Sequence, residues 1–227
     1  MDAQHDGAAT VTALSTFAMC PRKYFLGHYL GFGHTAPEPE NGNGEASVSA
    51  AELGSQVHEL LAELPVENPD PEAVRLAAVF RQSPLGKRAA QAARREREFD
   101  FVLAIEDLIV HGQIDQWFEE GGEIVIVDYK TDAVKPAEAH QRAQDYELQL
   151  RVYAMAVERV AGCAPRRAYL HFLRPNAVVE VDLTPSLLDS PEQVVRDFVR
   201  AQETLEFPLN EGAQCKRCPF YRGLCPA

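Results

Sequence analysis

The chain has 227 residues, of which 46% are apolar and 25% charged, and a net charge of −12 at pH 7. This is the composition of a globular protein; it excludes collagen-like and wholly disordered chains, and no stretch nears the ~20 apolar residues of a membrane span. The charge excludes a protein that coats nucleic acid by bulk electrostatics, but not an enzyme that meets DNA locally.

Residues 1–11 are expected to be a disordered polar tail, and 12–227 a single domain. MDAQHDGAAT has neither the basic nor the apolar region of a secretory leader, which suggests a cytoplasmic protein. Leu14 and Phe17 suggest a short helix, with a step at Pro21 and a second helix carrying Tyr24, Phe25 and Tyr29. Residues 31–46, rich in Gly, Pro and Glu, read as a loop. Leu53, Val57, Leu60, Leu61 and Leu64 place a helix over 49–64. Helices over 71–82 and 85–95 follow, the second strongly basic. The pattern then changes to strands over 99–105, 108–117 and 123–129, with Glu120-Gly121-Gly122 as the hairpin turn. A long helix over 138–160, strands over 167–173 and 178–183, and a helix over 191–206 complete an α/β domain with a mixed sheet.

Two features carry chemistry. The first is Gly112-Gln113-Ile114-Asp115, followed by Asp128-Tyr129-Lys130 at the end of the next strand. Residues two apart in a strand share a face, so Asp128 and Lys130 point the same way, and a hairpin brings Asp115 alongside. Two carboxylates, with the Tyr129 carbonyl between them, suit a hard cation such as Mg²⁺ or Mn²⁺. Lys130 is then placed to orient a water or stabilise a transition state. The apolar run Ile124-Val125-Ile126-Val127 implies a central strand that ends by pointing charge at a cleft.

The second feature is Cys215, Cys218 and Cys225 near the C-terminus. Three clustered thiolates suggest metal ligation, with Cys20 or Cys163 as the fourth. Four thiolates suit structural zinc or an iron–sulfur cluster equally.

G-x-I-D followed by I-V-D-Y-K-T resembles the PD-(D/E)XK nuclease superfamily, in its RecB-like branch, with Gln113 where that branch often has arginine. The resemblance implies a restriction-endonuclease-like fold, a mixed central sheet flanked by helices, and a metal-dependent deoxyribonuclease. It implies that His58, in Gly54-Ser55-Gln56-Val57-His58, is a third metal ligand. Glu96, in Glu96-Arg97-Glu98-Phe99, matches an auxiliary acid, with Glu98 in place of the usual proline. Gln149 and Tyr153 match a Q-x-x-x-Y motif whose face lines the active site and contacts DNA. Cys20-Pro21-Arg22-Lys23-Tyr24 is similar to the segment that opens AddB-type nuclease domains and CRISPR-adaptation exonucleases. That similarity makes Cys20 the fourth ligand of a structural [4Fe–4S] cluster tying the two chain ends, with Zn²⁺ the alternative. Single-stranded DNA ends are the implied substrate, and a helicase, separate or covalently linked, the implied partner. The basic run Lys87, Arg88, Arg94, Arg95 and Arg97 is a candidate guide for the phosphate backbone. Two other readings remain open from the residues: a non-catalytic DNA-binding module, and a zinc-stapled interaction domain.

Overall fold

The computed structural model describes residues 6–32, 48–184 and 190–226. In chain order the elements are β1 (Ala8–Thr10), α1 (Val11–Met19), α2 (Pro21–Tyr24), α3 (Ala50–Leu61), α4 (Pro71–Gln82), α5 (Pro84–Gln91), β2 (Arg95–Ile105), β3 (Leu108–Glu120), β4 (Glu123–Lys130), α6 (Ala139–Ala143), α7 (Glu147–Ala161), β5 (Arg167–Phe172), β6 (Ala177–Val181) and α8 (Pro191–Thr204). The fold is mixed α/β on a mixed sheet. It comprises two compact units, one of residues 45–101 and 113–185, the other of residues 1–44, 102–112 and 186–227. Among the described residues no helix is long and apolar enough to cross a membrane.

In the first of these units, residues 116–120 of β3 pair antiparallel with β4. Gly121 and Gly122 both take positive φ, 59° and 83°, which the tight hairpin requires. β4 runs parallel to β5, and β5 antiparallel to β6. The parallel β4–β5 step needs a crossover, which α6 and α7 supply. β4 is buried from Ile124 to Tyr129, which is why it reads as an unbroken apolar run. Its odd-numbered residues, Val125, Val127 and Tyr129, pack with Leu53, Val57, Leu76, Phe80 and Leu85 of α3 to α5. Its even-numbered residues, including Asp128 and Lys130, therefore face the other way.

Ser83 both closes α4 and caps α5. Its hydroxyl donates to the Phe80 carbonyl (2.7 Å) and accepts from the Gly86 amide (3.0 Å). This turn is so tight that a Cβ on Gly86 would stand 2.0 Å from the Phe80 carbonyl oxygen. Gly86→Ala is therefore expected to lower unfolding free energy by ~1–3 kcal/mol through overpacking, read as a lower urea midpoint at unchanged slope.

In the other unit, β1 lies parallel to residues 109–111 of β3. The Thr10 side chain ends β1 and caps α1, accepting from the Ala13 amide at 3.0 Å. Phe17, Tyr24 and Phe198 meet edge to face, with centroids 5.0–5.9 Å apart, joining α1 and α2 to the amphipathic α8. A π-helical turn, Phe25–Tyr29, continues α2. Leu26 and Phe220 pack with Cys225 in a small separate core.

Several sequence expectations need correction. The disordered tail gives way at Ala8–Thr10, because small residues fit a short parallel strand whose last member doubles as a helix cap; residues 1–5 lie outside the described residues. So does 33–47, and with it most of the loop expected over 31–46. The helix over 85–95 stops at Gln91, since Arg94 and Arg95 join the sheet, the Arg94 carbonyl accepting from the Glu119 amide at 2.9 Å. The long helix over 138–160 is broken by 3₁₀ turns at Pro136–Glu138 and Gln144–Tyr146. Three 3₁₀ residues add roughly 60° of rotation relative to an α-helix, and so re-aim α7. The basic run carries surface ion pairs: Arg88 pairs with Glu120 (2.5 Å), Arg94 with Glu119 (2.9 Å) and Arg97 with Glu63 (2.8 Å).

Candidate active site

The β3–β4 ladder ends at Gln116 and Val127. Just beyond it the strands carry Asp115 and Asp128, both buried, the latter completely. The Tyr129 amide, freed from the ladder, donates to Asp115 Oδ2 at 2.6 Å. The Tyr129 hydroxyl bonds Gln116, so the tyrosine ring is anchored from two directions.

Asp128 Oδ2 stands 2.7 Å from Lys130 Nζ. The contact is an ion pair and not a well-directed hydrogen bond, and leaves that oxygen otherwise unpartnered. α7 brings in Gln149, whose Nε2 donates to Asp128 Oδ1 (3.1 Å) and to the Tyr153 hydroxyl (2.6 Å). Its Oε1 accepts from Lys130 Nζ at 3.3 Å. Gln149 therefore reaches Asp128, and Tyr153, four residues on along the same helical face, meets Gln149. Burial pushes the Asp128 carboxyl up to about 6, reinforced by Asp115 and opposed by Lys130. Burial works against the Lys130 charge too, but Asp128 and Asp115 outweigh it and the ammonium is held above its usual range.

His58 lies in the last turn of α3, edge-on to the Tyr129 ring. Its Nδ1 is 3.3 Å from Asp115 Oδ1 and 3.5 Å from Glu98 Oε1. These three residues each offer one ligand atom within 4.8 Å of the others. Burial disfavours the imidazolium, yet Asp115 and Glu98 hold its pKa up to about 10. An imidazole set between two acids can hold either a proton or a cation. A divalent ion must displace that proton to bind. The mixed oxygen and nitrogen donor set, with the unpartnered Asp128 oxygen close by, fits Mg²⁺ or Mn²⁺.

Glu96, which the resemblance offers as an auxiliary acid, is exposed, and the glutamate beside His58 and Asp115 is Glu98. Glu98 takes a positive φ of 45°, which interrupts the alternation of β2 and turns its side chain toward His58. Gln113 Nε2 braces the interruption, donating to the Glu98 carbonyl (3.4 Å) and to Asp100 Oδ1 (3.0 Å). No sequence pattern announces a left-handed glutamate. Glu98→Gln is accordingly expected to raise the half-saturating Mn²⁺ concentration about 10-fold or more, on the scale of losing one ligand, while Glu96→Gln leaves it unchanged. Titration calorimetry on both variants decides between them.

In the other unit, Cys20, Cys215, Cys218 and Cys225 line one cavity, together with Arg22, Leu26 and Phe220. Cys20 and Cys225 are buried, and none of the cysteines is in a disulfide. Cys163 is exposed, just beyond the end of α7. Thiolates are the right donors for either zinc or an iron–sulfur cluster. Among the described residues, no three of the sulfurs come within 4.8 Å of one another.

Comparison with known proteins places this geometry. The chain is 29% identical over 118 residues to an ATP-dependent helicase/nuclease protein of Clostridium acetobutylicum, covering 45% of this chain and 9% of that protein. It is 32% identical over 153 residues to the corresponding helicase/nuclease of Carboxydothermus hydrogenoformans, covering 60% and 13% respectively. The chain thus spans only a small part of the length of these relatives. The crystal structure of SSO0001 superposes with a TM-score of 0.55 at 17% identity, over 98% of this chain and 87% of that one. A Eubacterium rectale protein assigned as an exonuclease does so with 0.55 at 12% identity, over 96% and 90%. Both share the fold. The family profile that matches residues 8–226 takes in His58, Glu98, Asp115, Asp128 and Lys130 together with all four clustered cysteines, and by that match the chain belongs to the PD-(D/E)XK nuclease superfamily.

Proposed function

We propose that this chain hydrolyses DNA phosphodiester bonds with Mg²⁺ or Mn²⁺, acting on single-stranded ends. The observation that carries this reading is the meeting of His58, Glu98 and Asp115 beside the buried Asp128–Lys130 pair. His58, Glu98, Asp115 and Asp128 hold the ion. The Tyr129 carbonyl is a further ligand, because a residue's N–H and C=O leave an extended strand on the same edge and the Tyr129 amide already faces Asp115. The ion supplies Lewis acidity toward the phosphate and lowers the pKa of a water. Lys130 donates its N–H bonds to the phosphoryl oxygens as charge develops there. Gln149 orients both Asp128 and Lys130, and Tyr153 fixes the Gln149 amide against rotation.

Relatives named as helicase/nuclease proteins support a helicase, separate or in the same polypeptide, as the partner, and a helicase would present single strands. The cytoplasm is the matching compartment. The test is cleavage of end-labelled single-stranded and duplex DNA with Mg²⁺, Mn²⁺ or chelator. Metal-dependent loss of the single strand, absent from Lys130→Ala, supports the reading. Parent protein that cleaves neither DNA at any metal concentration overturns it.

The four cysteines hold a structural [4Fe–4S] cluster in this reading, with Cys20 as the N-terminal ligand. Support comes from the four cysteines lining one cavity, and from the resemblance of Cys20-Pro21-Arg22-Lys23-Tyr24 to cluster-bearing nuclease domains. Zn²⁺ is the alternative that suits four thiolates.

A further inference from the structure

We propose that Tyr146 is a positioning residue for Lys130: its ring face holds the ammonium at the end of β4 without occupying the N–H donors. This rests on the reading of Lys130 as the cation that serves the phosphate.

Lys130 Nζ lies 4.5 Å from the centroid of the Tyr146 ring. Its other neighbours are Asp128 Oδ2 and Gln149 Oε1, so the ammonium is held by a carboxylate, an amide oxygen and a π face. The three differ chemically. Gln149 accepts a hydrogen bond and uses up a donor, and Asp128 pairs with the charge. A ring face attracts the charge through its quadrupole and leaves donors directed elsewhere. A second carboxylate in its place would satisfy the ammonium and withdraw it from the phosphate. The π face is thus the contact that lets Lys130 remain both fixed and available.

The ring is itself fixed. The Tyr146 hydroxyl donates to Asp132 Oδ2 at 2.7 Å and accepts from Arg142 Nη2 at 2.8 Å. Arg142 also pairs with Asp132 at 3.1 Å and with Asp145, and its Cζ lies 4.9 Å from the ring centroid. The Phe172 ring, on the residue opposite Lys130 in β5, stands 6.3 Å away. Burial and the Asp132 carboxylate hold the Tyr146 hydroxyl well above its usual pKa, so it stays protonated. Asp132 comes two residues after Lys130, and Tyr146 closes the 3₁₀ turn that breaks the crossover helix. That break is what lays the ring against Lys130.

The experiment compares Tyr146→Phe, which keeps the ring, with Tyr146→Leu, which removes it, alongside Lys130→Ala. Two readouts are taken, single-turnover cleavage of single-stranded DNA and the NMR shift of the Lys130 ε-methylene protons. The other lysines, Lys23, Lys87, Lys135 and Lys216, serve as references, and Lys130→Ala gives the assignment. A ring face at this distance moves those protons upfield. The expected result is an upfield signal kept in Tyr146→Phe and lost in Tyr146→Leu. The cleavage rate should stay within about 3-fold of parent in the first and fall about 30-fold in the second, with DNA affinity, half-saturating metal and melting temperature held. An upfield signal that survives Tyr146→Leu, or a rate that survives its loss while Lys130→Ala is inactive, overturns the proposal. An active Lys130→Ala overturns instead the reading of Lys130 on which it rests.

Discussion

Lys130→Ala is expected to lower the cleavage rate by ~10²–10³, the usual effect of removing one preorganised charge from a site that stabilises a transition state. The fold should survive. The ammonium sits almost out of solvent, and its main partner is Asp128, whose carboxyl is already pushed up to about 6 by burial. In that variant Gln149 still donates to Asp128 Oδ1, and a bound divalent ion would pair with the carboxylate, so no buried charge is left uncompensated. Asp128→Asn should lose a comparable factor by another route. It keeps the shape but weakens metal binding, so extra Mn²⁺ should restore part of its rate and none of that of Lys130→Ala. Single-turnover rates over a metal titration, with melting curves for both variants, separate these outcomes. Full activity in both would remove the assignment of this site.

Any single Cys→Ala change at positions 20, 215, 218 or 225 is expected to lose the whole cluster, falling from about four irons per chain to nearly none, because a cluster missing one thiolate is labile. Cys163→Ala should change nothing, since that thiol is exposed and lies in the other unit. The melting temperature should drop in all four variants, because Cys20 and Cys225 are buried in the unit that the proposed cluster would tie and belong to its core. The closed loop between them is almost the length of the chain, and closure of long loops constrains the unfolded ensemble most. Iron and zinc analysis of anaerobically purified protein checks the outcome. Stoichiometric zinc and no iron would replace the cluster with a single ion. Iron lost from Cys163→Ala but kept in Cys20→Ala would assign the wrong N-terminal ligand.

Much of the site could be read in the residues, for a physical reason. Asp115, Asp128 and Lys130 sit on strands whose two-residue period fixes their faces, and Gln149 and Tyr153 sit on a helix whose four-residue spacing fixes theirs. Where the period holds, direction follows from sequence. Glu96 fits the motif position of the resemblance, whereas the positive φ that turns Glu98 toward His58 leaves no mark in the sequence. Tyr146 falls inside the single long helix expected over 138–160, since nothing local marks the 3₁₀ turn that reorients it. β1 was missed because three small residues carry no strand signal, and their pairing with residues 109–111 lies about a hundred positions away. The arginines of the basic run were legible as charges but not as partners. Glu63, Glu119 and Glu120 are distant in sequence and meet them only in the folded unit.

The left-handed backbone at Glu98 has a consequence for anyone redesigning this domain. Most residues with a side chain resist that conformation, at a cost of about 1 kcal/mol, and glycine does not. A consensus-free search for thermostability would therefore nominate glycine at position 98 early, and the resulting protein would be hardier. It would also have surrendered the acid that faces His58 in the candidate metal site. Robustness and competence compete at this one backbone torsion, so a stabilised variant of this domain should be screened for metal affinity before it is screened for heat resistance.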